Sequence, residues 1–578
     1  MTFAAVARTG AANLARRARR RARRNGVLRY LVRRRRAGRW LTDWSPVVGR
    51  SNASTGVAHE SPVRALFATD IGGYLNGVIP EAALAAALDL RGHAVHMLLC
   101  DGVLPACMEC TYVQVDDREM ARRGPQGGLC HYCHETGVRA VDGLGVTLHA
   151  FGELLTDADR CEARAVARAT GLDDASGVQV EGLRLGEHAV AGTLRFFARA
   201  TLEGEPRALP VLRRYVEASV LAARATQRLL RSERFDVVVL HHGIYVPQGV
   251  VAEVCRAEGV RVVTWNPAYR ARTFVFSHDD TYHHTLLDEP VESWEELGWD
   301  ARREEQVMDY LRSRWEGTQD WIWFHERPQA DLAAIQTEVG VDFGARPTIG
   351  LLTNVMWDAQ LHYPANAFPT MRDWVVETVR WFAEHPELQL VVRVHPAEVT
   401  GWLPSRQLVV EEIRRAFPTL PPNVFLIGPE SKVSTYAAML ACDSVIIFGT
   451  KTGVELTSLG VPVIVAGEAW IRGKGVTTDI SSREQYFQVL AGLPVGRRMD
   501  EEQVRRARQY AYHFFFRRMI PLEFMAPSGT NIPVYRADVT DPAQLLPGAS
   551  RGLDIVVDGI TRGTPFLYPA DLVAPSVP

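Results

Sequence analysis

Two groups of polar and basic residues follow apolar segments in the second half of the chain. The segment LQLVV runs into Arg393, His395 and Pro396, and VIIF runs into the glycine- and threonine-rich sequence 449–453. Lysine, histidine and threonine side chains donate hydrogen bonds to phosphate oxygens, and glycine lets the backbone approach them closely. A helix beginning near residue 452 would add free N–H groups and the positive end of its dipole.

These residues predict a nucleotide-phosphate pocket. The candidate ligands of the nucleotide and its phosphates are Arg393, His395, Pro396, Thr450, Lys451, Thr452, Gly453 and, from the basic loop 472–475, Lys474. Glu455, one turn into the helix, is expected to accept hydrogen bonds from ribose hydroxyls. Asp479 is expected to anchor the loop 472–475. The GxxxxGK spacing of a Walker A loop is absent, so this is a different kind of phosphate site.

Two residues of the first half are candidate catalytic bases. Asp70 follows the apolar segment ALFAT, and His242 follows FDVVVL. Transfer of a group to a hydroxyl needs a carboxylate or an imidazole that accepts the hydroxyl proton. A structural capping role fits either residue equally well, and the sequence does not choose. The histidine- and aspartate-rich stretch 277–284 is interpreted as a polar loop, because its spacing selects no metal.

Four of the eight cysteines form two Cys-x2-Cys pairs. These are Cys107 with Cys110 and, after 19 intervening residues, Cys130 with Cys133. Pairs at this separation suit tetrahedral zinc, and all-thiolate ligation makes the metal structural. His131 and His134 flank the second pair and could replace a ligand. Buried thiols or two disulfides are the alternatives, and the other four cysteines are interpreted as core residues.

Apolar segments alternate with helical patterns in both halves of the chain, which predicts an α/β fold with two Rossmann-like domains facing a cleft. Every motif above except the cysteine pairs lies at the carboxyl end of an expected strand. The expected parts are a basic arm (1–60), an N-terminal Rossmann-like acceptor domain (61–276) with the cysteine insertion at 101–140, a linker with helices (277–345), a C-terminal Rossmann-like nucleotide-donor domain (346–495), a long terminal helix (496–526) and a loop-like tail (527–578).

Charge separates the arm from the rest of the chain. The net charge is −2 over 578 residues, but residues 1–40 hold 14 arginines and no acid, which leaves about −16 elsewhere. The acidic body gives no support to nucleic-acid binding. No segment is long and apolar enough for a signal peptide or a membrane span, so we expect a cytoplasmic protein. The arm, with Trp40 and Trp44, is either a solvated disordered segment or a contact with an anionic membrane surface.

The second half of the chain resembles a known family. RVHPAE, GTKTGVEL with LGVPVIVAGE, RGKGVTTD, LLTNVMWDAQ and YAYHFFFRR are similar to the bacterial capsule polysaccharide biosynthesis family, which includes Kdo transferases of the GT-B glycosyltransferase superfamily. The resemblance covers residues 60–525 and is better in the second half. It implies that His395, Pro396, Thr450, Lys451 and Thr452 bind the donor nucleotide, that Glu455 meets the ribose, and that Asp70 loosely matches the catalytic acid. The Gly-Thr-Lys-Thr sequence departs from the paired serines of sialyltransferase-like relatives, so a CMP donor does not follow.

These observations favour a glycosyltransferase that uses a nucleotide-sugar donor to build a capsule or surface polysaccharide on a saccharide or lipid-linked acceptor. Its expected cofactor is structural zinc, with no catalytic cofactor. A polyol-phosphate transferase and a UDP-sugar 2-epimerase remain alternatives on the same fold. A non-catalytic assembly scaffold is the alternative from another class, and it should bind no nucleotide. Fold analogy alone names neither the donor sugar nor the acceptor.

Overall fold

The computed structural model describes residues 34–35, 37–47, 62–125, 127–316, 320–321, 328–359, 363–496, 498–527 and 535–570. Most of the basic arm and the end of the chain lie outside these ranges, so the predictions for residues 1–33 and 571–578 are not addressed. Within them no helix is both long and apolar enough to span a bilayer.

The first large sheet has seven strands in the order β15-β8-β7-β6-β1-β2-β3. The strands of the described chain are β1 Arg64–Asp70, β2 Ala94–Leu99, β3 Thr147–Ala150, β4 Gln179–Val180, β5 Leu183–Arg184, β6 Val237–His241, β7 Arg261–Pro267, β8 Thr273–His278, β9 Thr348–Leu352, β10 Gln389–Arg393, β11 Val424–Ile427, β12 Ser444–Ile447, β13 Val463–Val465, β14 Thr478–Asp479, β15 Ile520–Pro521, β16 Met525–Pro527 and β17 Tyr535–Ala537. Strands β3, β2, β1, β6 and β7 are parallel to one another, while β8 and β15 pair antiparallel at the edge of the sheet.

The second large sheet has six parallel strands in the order β11-β10-β9-β12-β13-β14. Counted from its own first strand, the order is 3-2-1-4-5-6, and the parallel part of the first sheet is 3-2-1-4-5. Both are doubly wound Rossmann-like orders, which confirms the predicted α/β class. Strands β9, β10, β12 and β13 are buried at every residue, as expected for parallel strands covered on both faces.

Helices cover both faces of the two sheets. They are α1 Leu75–Leu90, α2 Asp117–Arg123, α3 Gly128–Ala140, α4 Phe151–Leu154, α5 Asp157–Ala169, α6 Gly186–Phe197, α7 Ala208–Ser232, α8 Gln248–Ala257, α9 Tyr282–Leu287, α10 Glu292–Glu295, α11 Ala301–Glu316, α12 Leu332–Val339, α13 Met371–Ala383, α14 Ala397–Thr400, α15 Val409–Ala416, α16 Thr435–Leu440, α17 Thr452–Ser458, α18 Arg483–Ala491, α19 Glu501–Tyr512 and α20 Arg551–Arg562. Short 3₁₀ turns occupy Ala175–Gly177 and Pro542–Leu545.

The segment predicted as a polar linker, 277–345, is part of the packed body. It completes strand β8 and contains four helices, of which α11 buries Val307, Tyr310 and Leu311. The stretch 277–284 is therefore a strand end and the start of α9 rather than a loop. The linker prediction was wrong because polar residues dominate the composition, whereas one apolar stripe of α11 is enough to pack it against the core.

The chain also ends differently from the prediction. The expected long terminal helix (496–526) is α19 followed by a π-helical turn, His513–Arg517, and then β15, which pairs with β8. The expected loop-like tail (527–578) contains β17 and α20, and the helix α20 buries Leu553, Val556 and Ile560. The sequence GLDIVVDGI carries this apolar helical stripe, so the tail was identifiable as a helix.

Part of the basic arm packs on the body. Trp44 is 1% exposed, and its indole Nε1 donates a hydrogen bond to the carbonyl oxygen of Ala140 at the end of α3. Val47 is buried with it. The proposed lipid contact through Trp44 was therefore wrong, since this side chain is committed to the protein core.

Candidate functional site

A cavity of about 620 Å³ lies at the carboxyl ends of the second sheet. Asn354 follows β9, His395 follows β10 and Lys451 follows β12, and all three line it. The segment 266–269, at the end of β7 in the first sheet, lines the facing side. The cavity therefore lies between the strand ends of the two sheets, where open parallel sheets bind their ligands.

The loop after β12 is held in place by short local bonds. The amide Nδ2 of Asn354 donates to the carbonyl oxygen of Gly449 at 2.7 Å, which ties the loop to the end of β9. The hydroxyls of Thr450 and Thr452 lie 3.1 Å apart, and both residues line the cavity. The following helix α17 has only seven residues. The hydroxyls and Lys451, rather than a long helix dipole, are therefore the principal donors of this loop.

Lys451 belongs to a buried network of alternating charge. Its Nζ lies 2.7 Å from Oε1 of Glu455 and 4.6 Å from the ring centre of Tyr269. The guanidinium of Arg314 reaches the same carboxylate at 3.1 Å, and Tyr436 donates its hydroxyl to it. Burial and the nearby Arg314 lower the pKa of Lys451, while Glu455 opposes this shift.

The carboxylate of Glu455 lies below the cavity wall rather than in it. It is 1% exposed and does not line the cavity. Burial alone would raise the pKa of Glu455, but Arg314 and Lys451 together hold it below its usual value. The carboxylate thus stays ionised and fixes the ammonium of Lys451 at the cavity surface. Because Glu455 does not line the cavity, its position does not favour the contact with a ribose that the sequence predicted.

Arg314 extends the charged wall. It pairs with Asp320 and donates to the hydroxyl of Tyr310 at 3.0 Å, and Tyr310 in turn donates to Asp320 at 2.8 Å. Arg314 and Asp320 both line the cavity. Both lie in the segment expected to be a linker, so the sequence analysis missed them. The signal was weak, since a single arginine at the end of a polar helix has no distinctive pattern.

His395 presents one ring nitrogen as a donor. The backbone N–H of Ala397 donates to its Nδ1 at 3.1 Å. Burial lowers the pKa of His395 to about 4, assisted by Lys451 and Arg393, so the ring is neutral at physiological pH. A neutral imidazole whose Nδ1 accepts a hydrogen bond carries its proton on Nε2. His395 and its neighbour Pro396 both line the cavity.

Arg393, Gly453 and Lys474 were also predicted to bind the nucleotide, and the structure places all three away from the cavity. Arg393 is 2% exposed and donates to Thr435 Oγ1 and to the carbonyl oxygens of Gly428 and Ser431. It therefore supports Thr435, which does line the cavity. Nothing in the sequence indicated that the neighbouring loop, with the carbonyl groups of Gly428 and Ser431, would cover Arg393.

Gly453 and Lys474 have packing roles. A Cβ on Gly453 would lie 2.6 Å from Ile447 Cδ1, so glycine allows α17 to pack on β12. Lys474 is 1% exposed, its Nζ donates to the carbonyl oxygens of Leu287 and Glu289, and burial lowers its pKa to about 8. The loop is thus a packed connection. Asp479 anchors it as expected, accepting from Gly473 N–H at 2.8 Å.

The two candidate bases lie at the switch point of the first sheet, where β1 and β6 are neighbours. Neither Asp70 nor His242 lines the cavity. Asp70 is 2% exposed, and its carboxylate has no hydrogen-bond partner among the described residues. Burial and the nearby Glu81 raise its pKa well above the usual value, whereas burial lowers that of His242. Two cavity-lining rings lie beside His242: that of Tyr282 at 5.5 Å and that of His283 at 5.8 Å between ring centres.

Among the described residues, three carboxylates line the cavity directly: Asp320, Asp358 and Glu468. Asp320 is bound by Arg314, and Glu468 accepts the backbone N–H of Ala365 at 2.6 Å. Asp358 is the exposed one of the three, and its Oδ1 accepts the hydroxyl of Tyr245 at 2.9 Å. The sequence analysis missed Asp358, although it follows β9 by six residues and so lies beyond a strand end like the other motifs.

Aromatic side chains form much of the remaining surface. They are Tyr269, Tyr282, Trp315, Trp321, Trp357, Tyr363, Trp402, Tyr436, Phe448, Trp470, Phe514 and Tyr535. Trp315 and Tyr436 stack with ring centres 5.8 Å apart beside the charged network. Flat apolar surfaces next to fixed cations suit a ligand that has both a planar ring and phosphates.

Comparisons with known proteins return structures of glycosyltransferases and epimerases at low similarity. No family model and no curated protein matches the chain. The Thermosulfurimonas dismutans KpsC beta Kdo 2,4 transferase is 15% identical, with 53% of this chain and 86% of that chain covered and a TM-score of 0.33. The Neisseria meningitidis UDP-GlcNAc 2-epimerase is 12% identical, with 78% of this chain and 96% of that chain covered and a TM-score of 0.22. The calicheamicin glycosyltransferase CalG4 is 13% identical, with 87% of this chain and 100% of that chain covered and a TM-score of 0.23. At these TM-scores the matches assign no activity to this chain.

Proposed function

We propose that this protein is a glycosyltransferase that uses a nucleotide-activated sugar to build a bacterial capsule or surface polysaccharide. The observation that carries the proposal is the cavity between the strand ends of the two sheets, with Lys451 and His395 at neighbouring strand ends. A cation and a fixed N–H donor at one wall suit a diphosphate or phosphate leaving group. The polysaccharide role rests on the sequence resemblance alone.

In this proposal the cavity binds the nucleotide donor through its phosphates and its base. The ammonium of Lys451, the hydroxyls of Thr450 and Thr452, and Nε2–H of His395 bind the phosphates. The ring of the base lies against aromatic side chains of the wall, among them the stacked pair Trp315 and Tyr436. Glu455 acts through Lys451, which it holds at 2.7 Å. Positive charge at this wall stabilises the phosphate as it leaves with the electron pair of its bond to the sugar.

Asp358 is the proposed general base. It accepts the proton of the acceptor hydroxyl while the hydroxyl oxygen forms the new bond to the anomeric carbon and the bond from that carbon to the phosphate breaks. Its exposure within the cavity favours it over the buried Asp70 and His242, because a base must reach its proton within hydrogen-bond distance. The Tyr245 hydroxyl at 2.9 Å orients the carboxylate. The acceptor is a saccharide or a lipid-linked saccharide.

Calorimetric titration of the full chain with CMP, CDP, UDP and GDP tests the donor site. We expect one nucleotide to bind at micromolar strength and Lys451→Met to remove that binding, since methionine keeps the stem of the side chain but not its charge. Lys432→Met is the matched control, because Lys432 is exposed and does not line the cavity. Failure of all four nucleotides to bind would overturn the donor site and favour an assembly scaffold.

Product analysis then separates transfer from the alternative reactions. The nucleotide sugar selected by calorimetry is incubated with and without saccharide acceptors, and the sugar is followed by mass spectrometry. Acceptor-dependent appearance of a glycosidic product supports the proposal. Conversion of the free nucleotide sugar to its 2-epimer without acceptor would contradict it and establish the epimerase alternative, and transfer of a phosphate-containing group would establish a polyol-phosphate transferase.

A further inference from the structure

A second, much smaller cavity lies in the cysteine-rich segment at the first sheet. Its volume is about 20 Å³, and it is lined by four cysteines, Cys100, Cys107, Cys130 and Cys133. Cys100 directly follows β2 and was expected to be a core residue, while Cys110 was expected to be a ligand but does not line this space. The structure thus brings together a set of four thiols that differs by one member from the two Cys-x2-Cys pairs.

We propose that Cys100, Cys107, Cys130 and Cys133 bind one zinc ion as thiolates. Zinc prefers four ligands in a tetrahedron, and sulfur ligands at about 2.3 Å place neighbouring sulfurs roughly 3.8 Å apart. The volume is the size of one water molecule, since roughly 10–15 Å³ is enough to hold one. A single ion fits this space, whereas a cluster of several irons and sulfides does not.

One backbone N–H group is directed at a sulfur of this set, since Gly73 N–H donates to Cys133 Sγ at 3.1 Å. Such outer contacts orient the ligands of metal sites.

Cys110 lies next to the proposed ligand Cys107 and is not itself a ligand in this proposal. Its sulfur lies 3.6 Å from that of Cys107, close enough for an S–H···S hydrogen bond. A thiol that donates to a metal-bound thiolate acts as an outer partner rather than as a ligand. The motif therefore suggests Cys110 from spacing alone, whereas the cavity selects Cys100, and the two assignments make different predictions for serine variants.

Binding of the ion requires the sulfurs to move inward. Among the described residues, the one group of three or more candidate ligand atoms within 4.8 Å of one another is His96, His149 and Glu233, so no three of the cysteine sulfurs lie that close together. Cys130 Sγ also donates to the carbonyl oxygen of Pro125 at 3.1 Å and would exchange that bond for the metal. Rotation about the Cα–Cβ bonds supplies this movement without a change of fold.

Metal content of the full chain tests the proposal. The protein is expressed in zinc-supplemented medium, purified without chelator and analysed by inductively coupled plasma mass spectrometry. We expect one zinc per chain, lost in Cys100→Ser and Cys133→Ser but retained in Cys110→Ser and in the control Cys161→Ser, whose thiol is exposed on α5. Retention in Cys100→Ser with loss in Cys110→Ser would overturn the ligand set. Iron with acid-labile sulfide in place of zinc would overturn the single-ion assignment.

Cobalt substitution guards against variants that fail to fold. The wild-type chain loaded with Co²⁺ should show sulfur-to-metal charge-transfer absorption, and His149→Ala should leave that absorption unchanged. Absorption without the thiolate bands, abolished by His149→Ala, would instead locate the metal at His96, His149 and Glu233 and contradict the proposal. Alkylation of the native wild-type chain, mapped by mass spectrometry, should modify Cys100 and Cys133 only after a chelator is added.

Discussion

The switch points of the two sheets are built alike and used differently. In each sheet the first and fourth strands are neighbours, and polar motifs follow both: Asp70 and His242 in the first sheet, Asn354 and Lys451 in the second. At the second switch point the charges are paired and border a large cavity. At the first, the acid Asp70 is buried without a hydrogen-bond partner among the described residues, and neither Asp70 nor His242 lines the large cavity.

Packing of the cysteine-rich segment accounts for much of this difference. The loop after β1 contacts helix α3 so closely that a Cβ on Gly72 would lie 2.3 Å from the backbone of Gly137. Helix α3 carries Cys130 and Cys133, so the proposed metal centre lies directly on the loop that follows Asp70. Identical strand order therefore does not make two equivalent ligand sites, because an insertion can close one of them.

The largest expected effect separates the candidate bases of the two regions. Asp358→Asn should lower the rate of sugar transfer about 10²–10⁴-fold, because the amide cannot accept the acceptor proton. Nucleotide affinity should be unchanged in calorimetry, since the phosphates contact other residues. Asp70→Asn is the matched control and should keep the wild-type rate. Loss of transfer in Asp70→Asn together with normal activity of Asp358→Asn would reverse the assignment and restore the base expected from the sequence.

The second prediction concerns the network of buried charges beside the large cavity at the second switch point. Glu455→Gln leaves Lys451 and Arg314 without the carboxylate they share, and removing one partner of a buried charge group destabilises a protein by about 3–5 kcal/mol. Chemical denaturation monitored by tryptophan fluorescence measures this loss. Glu430→Gln removes an exposed carboxylate and should leave the stability unchanged. Equal stability of the two variants would mean that the network is not the electrostatic anchor of Lys451.

The sequence predicted the second switch point better than the first. Both sheets, and the residues His395, Thr450, Lys451 and Thr452, were found from apolar segments that end in polar motifs. Such local patterns survive folding because the carboxyl ends of parallel strands lie at one edge. Arg314 was missed because it reaches the cavity through tertiary packing, which leaves no periodic signal. Asp358 was missed although it lies beyond the end of β9. Arg393 and Lys474, which the sequence placed in the nucleotide site, lie away from the cavity because neighbouring carbonyl groups bind them.

The third prediction uses pH to test the protonation of Glu81, a buried acid near the switch point of the first sheet. Glu81 accepts hydrogen bonds from Thr69 and from Trp265 Nε1, and burial raises its pKa from 4.5 to about 8. The folded state therefore keeps its proton between pH 4.5 and 8 while the unfolded state loses it. The contribution of Glu81 to the free energy of unfolding is therefore complete below pH 4.5. It declines as the pH rises from 4.5 to 8, by at most about 1.4 kcal/mol per pH unit.

Glu81→Gln removes that titration and keeps an oxygen acceptor. The stability of the variant relative to the wild type should therefore increase from pH 4.5 to pH 8, as measured by urea denaturation at several pH values. Glu430→Gln should show a constant difference over the same range. A constant difference for Glu81→Gln as well would mean that the carboxyl group ionises normally and that the region around β1 is wetter than its burial indicates.

The smallest expected effect tests whether helix α3 closes the first switch point. A methyl group on Gly72 meets backbone atoms of Gly137 and Cys133 at 2.3–2.5 Å, and backbone cannot yield as a flexible side chain does. Gly72→Ala should destabilise the protein by about 1–3 kcal/mol, as overpacking does, and should weaken zinc retention because α3 must move. Gly177→Ala, with no atom within 4 Å of its Cβ, should leave both quantities unchanged. Nucleotide binding should survive in both variants, because the second switch point does not depend on this contact. Loss of nucleotide binding in Gly72→Ala would instead couple the two regions and make the metal centre part of the donor site.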